Sequence, residues 1–153
     1  MSIKEKLASI GLSLPIAAAP VAAYVPAVKS GNLVFTAGQL PVVDGKLVKE
    51  GKVGSDVSAD DAKELAQLCA LNALAAISLV AELDQIERVV RVGGFVNCAP
   101  GFTAIPGVIN GASELLIKIF GDVNGKHART AVGVAELPLN APDEIEMVVQ
   151  LKD

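Results

Sequence analysis

The pattern of residues 125–151 is the feature that most constrains how this chain folds. Apolar residues recur at every second position over residues 144–151, which predicts a β-strand with one buried face. The buried positions of that strand are Ile145, Met147, Val149 and Leu151. Residues 131–135 predict another strand, and a Pro-containing loop joins the two. We therefore expect the chain to end in two strands that pack on earlier elements.

Two charged residues lie near the starts of these strands. Arg129 enters the first strand and Glu144 opens the second. A site for a small carboxylated substrate needs a fixed cation with a carboxylate nearby. Spacing alone favours a simpler alternative, a surface arginine and a solvated strand face. Strand parity cannot be carried across residues 136–143, so the pattern does not predict whether the two side chains face each other.

The rest of the chain predicts an α+β fold. In chain order the patterns predict a helix capped by Ser2 and Glu5, strands over residues 22–28 and 33–37, and a hairpin at Asp44–Gly45. They continue with a helix from Ser58 to about residue 83, a strand over residues 86–96, and a helix over residues 106–120 ended by Gly121. This order predicts a mixed sheet with two helices on one face. We expect one domain over residues 1–153, in which residues 1–20 are an N-terminal helix and an extended connector.

The composition predicts self-association and no membrane span. Hydrophobic residues make up 52% of the chain and charged residues only 20%. The most apolar stretch, residues 65–81, contains Gln67, Asn72 and Ser78, so it does not resemble a membrane-spanning helix. We therefore expect apolar surface to be buried between copies of the chain. Glu5 argues against a secretory signal, and we expect a cytoplasmic protein.

Charge and cysteine usage narrow the classes of function. The net charge is −4 and aromatic residues make up 3% of the chain, which disfavours RNA or DNA as a principal partner. A local nucleic-acid-binding groove is an alternative that these totals do not exclude. Cys69 is expected in the core, and Cys98 is a candidate reactive thiol. The two cysteines are expected to be free, and a disulfide between them is the alternative. With a single histidine, a His/Cys metal cluster cannot be assembled.

Four stretches carry a resemblance to a known family. They are YVPAVKSGNLVFTAGQLP, the Ala-rich helix, INGASELL and HARTAVGVAELPLNAPDEIE. Over residues 24–151 the chain resembles the RidA family of reactive-intermediate deaminases, also called YjgF-like or L-PSP proteins, and specifically a subgroup of about this length. The resemblance implies a chorismate-mutase-like fold. It also implies a homotrimer whose sheets wrap a central barrel, with a cleft between each pair of subunits.

The resemblance also implies an activity and its residues. The best understood members hydrolyse enamines and imines such as 2-aminoacrylate to a 2-keto acid and ammonia, without a cofactor. Carried over by position, Arg129 grips the substrate carboxylate and Glu144 orients the attacking water. Tyr24, Gly38 and Asn110 match further cleft positions.

The chain also departs from the family pattern. Ala131 stands at a cleft position where a cysteine is frequent, His127 replaces a proline, and Ala37 replaces a serine. The pocket is thus expected to be less polar, and His127 to be a solvated loop residue or to lie at the cleft mouth. Two other functions stay open: a non-catalytic trimer that binds a metabolite and regulates an enzyme, and an endoribonuclease, against which the acidic composition argues.

Overall fold

The computed structural model describes residues 1–20 and 22–153. The helices are α1 (Ile3–Ser9), α2 (Ala59–Ile77) and α3 (Ile105–Asn124). The strands are β1 (Ala27–Ser30), β2 (Leu33–Thr36), β3 (Val42–Val43), β4 (Lys46–Leu47), β5 (Ile86–Asn97), β6 (Ala128–Val134) and β7 (Asp143–Leu151). Short 3-10 turns occur at Leu83–Gln85 and Pro138–Asn140.

A five-stranded mixed sheet organises the chain. Its order is β1-β2-β7-β5-β6, and β3 and β4 form a separate hairpin. Strands β5 and β6 run parallel, whereas the other neighbouring strands are antiparallel. Helices α2 and α3 pack together and contact β7 and β5. The predicted α+β fold with two helices on one sheet face is confirmed.

The core lies between the sheet and these two helices. All four alternating positions predicted in β7 are buried, and Val34 of β2 pairs with Val149 on the same face. Helix α2 is buried on several sides because it contacts both the sheet and α3. Asn72 of α2 is a hydrogen-bonded core group, as expected, because its Nδ2 donates to the carbonyls of Leu40 and Val42, each at 3.0 Å.

Local signals predicted several element ends correctly. Ser2 and Glu5 form the capping box of α1. The Asp44–Gly45 turn joins β3 to β4, and both residues have positive φ, as a two-residue hairpin requires. Gly121 interrupts α3 with a φ of 83°, although one more helical turn follows it.

Three predicted boundaries were wrong. Helix α2 ends at Ile77 rather than near residue 83, because the chain turns outward and returns to the core only at Leu83. The first strand starts at Ala27 rather than residue 22, since Pro26 has no N–H to donate to a neighbouring strand. Strand β6 starts at Ala128, before its predicted start, because pairing with β5 extends it.

The sheet face opposite the helices is open. It exposes Val28, Phe35 and Val132, whose exposed fractions are 52%, 44% and 39%. Val28 and Phe35 are cross-strand partners, and Phe35 also pairs with Val148. Within residues 1–20 and 22–153, no helix is long and apolar enough to cross a membrane.

Candidate functional site

Helix α3 holds the side chain of Arg129. Arg129 lies on β6 beside Val92 of β5, and its side chain extends on the helix-covered face. Its Nη1 donates to Asn110 Oδ1 at 2.8 Å and to Ser113 Oγ at 3.2 Å. Asn110 and Ser113 are three residues apart on α3, so they share one helix face. The guanidinium is therefore attached to the helix through one nitrogen.

The remaining edge of the Arg129 guanidinium is accessible. Its Nη2 lies 3.5 Å from the carbonyl oxygen of Pro106, which is too long for a strong hydrogen bond. Among the described residues, Nε has no hydrogen-bond partner. The Nε and Nη2 groups form the edge of the fork that binds a carboxylate through two parallel hydrogen bonds. The arrangement suits recognition of a carboxylate.

His127 is part of the same cluster. Its Nδ1 lies 2.7 Å from the Gly125 carbonyl oxygen and its Nε2 lies 2.9 Å from Ser113 Oγ. His127 lies in the loop before β6, as expected, but its side chain is half-buried and hydrogen-bonded rather than merely solvated. Burial, and then the charge of Arg129, lower the pKa of His127, although its hydrogen bond to Gly125 opposes the change. The lowered pKa favours the neutral form of His127.

Glu144 belongs to a different cluster. It pairs with Phe95 of β5, and its carboxylate packs against Gly38. A Cβ at position 38 would overlap Glu144 Oε1, so the missing side chain of Gly38 makes room for the carboxylate. Burial, and then the neighbouring charge of Glu146, raise the pKa of Glu144. A raised pKa brings this carboxylate closer to the range useful for proton transfer near neutrality.

The two clusters lie on opposite faces of the sheet. Arg129 aligns with Val92, whose partner on β7 is the core residue Met147. Glu144 occupies the alternate register, on the open face. One chain therefore does not bring Arg129 and Glu144 into a single pocket.

The other predicted site residues are spread across the fold. Asn110 contacts Arg129, and Gly38 contacts Glu144. Ala131 lies beside Gly94, on the same face as Arg129, and packs against the core. Tyr24 is exposed and precedes β1.

The sequence reasoning missed the contacts of Ser113 and His127. Two signals in the sequence point to them. Ser113 is three residues after Asn110, on the same face of a helix. His127 is two residues before Arg129, which is the spacing of neighbours on one face of a strand.

A further titratable pair lies in the core. Asp143 Oδ1 lies 3.5 Å from Cys69 Sγ, and both residues are fully buried. Burial raises the pKa of Asp143 to about 8. Its Oδ2 has no hydrogen-bond partner among the described residues. Both Cys69 and Cys98 are free thiols, and the described residues contain no group of three His, Cys, Asp or Glu side chains placed to hold a metal.

Known proteins match this chain along nearly its whole length. "Protein TCP17" of Trypanosoma cruzi is 38% identical over 152 residues, which cover 99% of this chain and 95% of that protein. A crystal structure of an Agrobacterium tumefaciens protein with unknown function is 42% identical with a TM-score of 0.88 and covers 98% of this chain and 92% of that one. A Shewanella oneidensis structure described as "a putative endoribonuclease" is 31% identical with a TM-score of 0.93 and covers 99% and 100%.

The family match includes both clusters. Residues 4–151 match the sequence profile of the family described as "YjgF/chorismate_mutase-like, putative endoribonuclease". That range contains the Arg129 cluster on α3 and β6 as well as Glu144 with Gly38. The chain therefore belongs to the YjgF (RidA) family and has its chorismate-mutase-like fold.

Proposed function

We propose that this protein hydrolyses reactive enamines and imines of the 2-aminoacrylate type to 2-keto acids and ammonia. The observation that carries the proposal is the arrangement of Arg129. Two acceptors on α3 hold its Nη1, while the Nε and Nη2 edge is left for a substrate carboxylate. Orientation supplies much of the rate for an imine, because protonated imines are already electrophilic toward water.

Arg129 binds the carboxylate and so fixes the imine carbon. A bidentate pair sets the plane as well as the position of the substrate, which a single ammonium group cannot do. The charge of Arg129 also makes binding selective for carboxylated imines. Asn110 supports this step because it accepts a hydrogen bond from the guanidinium. Ala131 lies on the same strand, two residues after Arg129.

Glu144 handles the protons of the reaction. The enamine takes a proton from solvent on its methylene carbon and becomes the protonated imine, and water then attacks the imine carbon while Glu144 accepts a proton from that water. Glu144 returns this proton to the carbinolamine nitrogen, and the C–N bond breaks with its electron pair leaving on ammonia. Glu144 accepts the hydroxyl proton as the carbonyl of the 2-keto acid forms, and then releases it to solvent. The raised pKa of Glu144 suits a group that must both accept and return this proton. No cofactor is required by these steps.

A complete site needs a second copy of the chain. Arg129 and Glu144 lie on opposite faces of one sheet, so we propose that each cleft combines Arg129 of one subunit with Glu144 of another. The exposed apolar residues of the open face support the proposal, because their burial would stabilise the assembly. We propose a homotrimer, with Tyr24 at the rim of each cleft and Gly38 making room for Glu144.

We do not propose RNA cleavage. The names of some relatives refer to an endoribonuclease, but this chain has 17 acidic residues against 13 lysines and arginines. RNA affinity comes mainly from neutralising phosphates, which an acidic protein does poorly.

The free thiols Cys69 and Cys98 suit the reducing cytoplasm, where we expect the reaction to occur.

A coupled assay tests the proposal. A serine dehydratase releases 2-aminoacrylate, and pyruvate formation is followed with the wild type, with Arg129→Ala and with the control Lys46→Ala, an exposed lysine of the β3–β4 hairpin. We expect the wild type and the control to accelerate pyruvate formation. Arg129→Ala should lose roughly 10- to 150-fold from binding alone, because a hydrogen bond to a charged group contributes about 1.5–3 kcal/mol.

Two outcomes would contradict the proposed function. Equal rates for Arg129→Ala and the wild type would exclude the proposed mechanism. No acceleration by any variant, together with pyruvate binding that Arg129→Ala abolishes, would instead identify a metabolite-binding trimer without catalysis.

A further inference from the structure

A continuous series of hydrogen bonds leads from the backbone just after the end of α3 to Arg129. The Gly125 carbonyl oxygen lies 2.7 Å from His127 Nδ1, and His127 Nε2 lies 2.9 Å from Ser113 Oγ. Ser113 Oγ in turn lies 3.2 Å from Arg129 Nη1. Three side chains are thus linked, one in the loop before β6, one on α3 and one on β6, and the last of them is the proposed carboxylate-binding group.

The donors and acceptors determine where the hydrogen lies in each of these hydrogen bonds. The Gly125 carbonyl only accepts, so His127 Nδ1 carries the hydrogen. In the neutral ring, Nε2 then accepts the hydroxyl hydrogen of Ser113. With its hydrogen directed to His127, Ser113 Oγ presents its lone pairs to Arg129. Neutral His127 therefore turns Ser113 into an acceptor for the guanidinium.

We propose that Ser113 and His127 are positioning residues that fix the plane of the Arg129 guanidinium for the substrate carboxylate. The proposal rests on the proposed function and extends it to two residues of this chain that need not touch the substrate. Each of the two hydrogens on Arg129 Nη1 then has its own acceptor, Asn110 Oδ1 or Ser113 Oγ. Loss of the second acceptor frees the guanidinium to turn about its anchor, so carboxylate binding weakens.

The surroundings of His127 also keep it neutral. Arg129 is linked to it through Ser113, and Arg88 of β5 and Lys126 line the same surface cavity as His127, together with Gln150 of β7. Asp122 of α3 lies 3.8 Å from Lys126. These charges are mainly positive and disfavour a protonated imidazole. An anion bound at Arg129 would offset part of this field, so it should raise the pKa of His127.

The single histidine of this chain makes the test direct. Nitrogen NMR of the imidazole reports the tautomer and the pKa of His127 without assignment, in the absence and presence of pyruvate. We expect the tautomer with hydrogen on Nδ1, and a higher pKa when pyruvate is bound. Arg129→Ala should abolish the response to pyruvate.

Ser113→Ala and His127→Phe test the positioning role itself. We expect each to raise the KM of the coupled reaction and the Kd for pyruvate by about 2- to 12-fold, the range for one ordinary hydrogen bond, with kcat nearly unchanged. Alanine is favoured in helices, so Ser113→Ala should stay folded. Ser78→Ala, which removes a serine hydroxyl at the end of α2, is the matched control and should leave KM unchanged.

The results separate this inference from the proposed function. If Arg129→Ala loses pyruvate binding while folded Ser113→Ala and His127→Phe bind as the wild type does, the positioning role is wrong and the proposed function stands. The positioning role is also overturned if the His127 imidazole carries its hydrogen on Nε2, or if the pKa of His127 does not change when pyruvate binds. If pyruvate does not bind, or if Arg129→Ala binds it normally, the proposed function fails and this inference fails with it.

Discussion

The two faces of the sheet differ in what covers them. On β7, Ile145, Met147 and Val149 lie under α2 and are buried. The alternate residues, Glu144 and Glu146 among them, lie on a face that no described element covers. Neighbouring residues of one strand therefore have very different environments. The helices cover one face of the sheet, and the other face keeps exposed apolar residues.

The difference explains why the candidate site is divided. The anchored Arg129 lies on the helix-covered side because α3 supplies its acceptors. Glu144 lies on the open side, where Gly38 makes room for its carboxylate. The helix side positions a rigid binding group, and the open side presents a group that can transfer a proton. In the proposed trimer the two groups meet only between subunits, so substitutions on the two faces should have different effects.

The largest effect is expected from charge on the open face. Phe35→Glu places a carboxylate among the exposed apolar residues, in a cavity that Glu146 and Arg91 also line, so subunits should separate mainly because apolar burial is lost. We expect sedimentation at the monomer mass of 15.7 kDa and loss of measurable turnover. Val123→Glu, at an exposed position near the end of α3, is the control and should stay assembled. A wild-type monomer would contradict the two-faced interpretation.

The next effect separates two carboxylates of the open face. Glu144→Gln should lower kcat about 10²- to 10⁴-fold, the usual contribution of a general base. Glu146→Gln should retain most activity, because its exposed side chain is not proposed to move a proton. Turnover of the wild type should fall as the pH is lowered through the raised pKa of Glu144.

Glu146→Gln also sharpens this comparison. The charge of Glu146 contributes to the raised pKa of Glu144, so its removal should shift the acidic limb of the rate profile to lower pH. Equal losses of kcat in Glu144→Gln and Glu146→Gln would show that neither carboxylate has a distinct proton-transfer function.

A third prediction concerns a carboxyl on the covered face. Asp143 has a pKa near 8 in the folded chain but 3.8 as its ordinary value, so the folded state binds more protons than the unfolded state between about pH 4 and pH 8. The free energy of unfolding should therefore fall as the pH rises through that range, on the order of a few kcal/mol. Asp143→Asn should flatten this dependence in urea unfolding at pH 5 and pH 8. An unchanged slope would mean that Asp143 is not the group responsible.

The smallest effects come from two glycines, one on each side of the sheet. A Cβ at Gly111 of α3 would overlap the backbone carbonyl of Lys63 on α2, which cannot move without shifting the helix. Gly111→Ala should therefore lower the free energy of unfolding by about 1–3 kcal/mol. The three heavy atoms nearest to a Cβ at Gly38 all belong to the Glu144 side chain, which can rotate away.

Gly38→Ala should accordingly change activity more than stability. We expect a free energy of unfolding within about 1 kcal/mol of the wild type, together with reduced kcat because Glu144 is displaced. Urea unfolding and the coupled assay measure the two quantities on the same preparation. Reduced stability with normal kcat would mean that Gly38 serves packing rather than the position of Glu144.

Short-range signals in the sequence predicted much of the fold. The alternation in β7, the Ser2–Glu5 capping box and the Asp44–Gly45 turn depend on residues within a few positions of each other, and all three are present. The end of α2 and the start of β6 were misplaced. Those boundaries depend on which residues the rest of the fold covers or pairs, and no local signal reports that.

The sequence alone determined which residues of β7 are buried and which types of side chain are available for chemistry. Only the tertiary structure decided that Arg129 and Glu144 lie on opposite faces, and that Ser113 and His127 belong with Arg129. The physical reason is the connection between β6 and β7. Leu139 and Asn140 take left-handed backbone conformations in that loop, so the alternation of one strand does not continue into the next. Sheet pairing sets the relative facing of the two strands, and pairing is a long-range property of the fold.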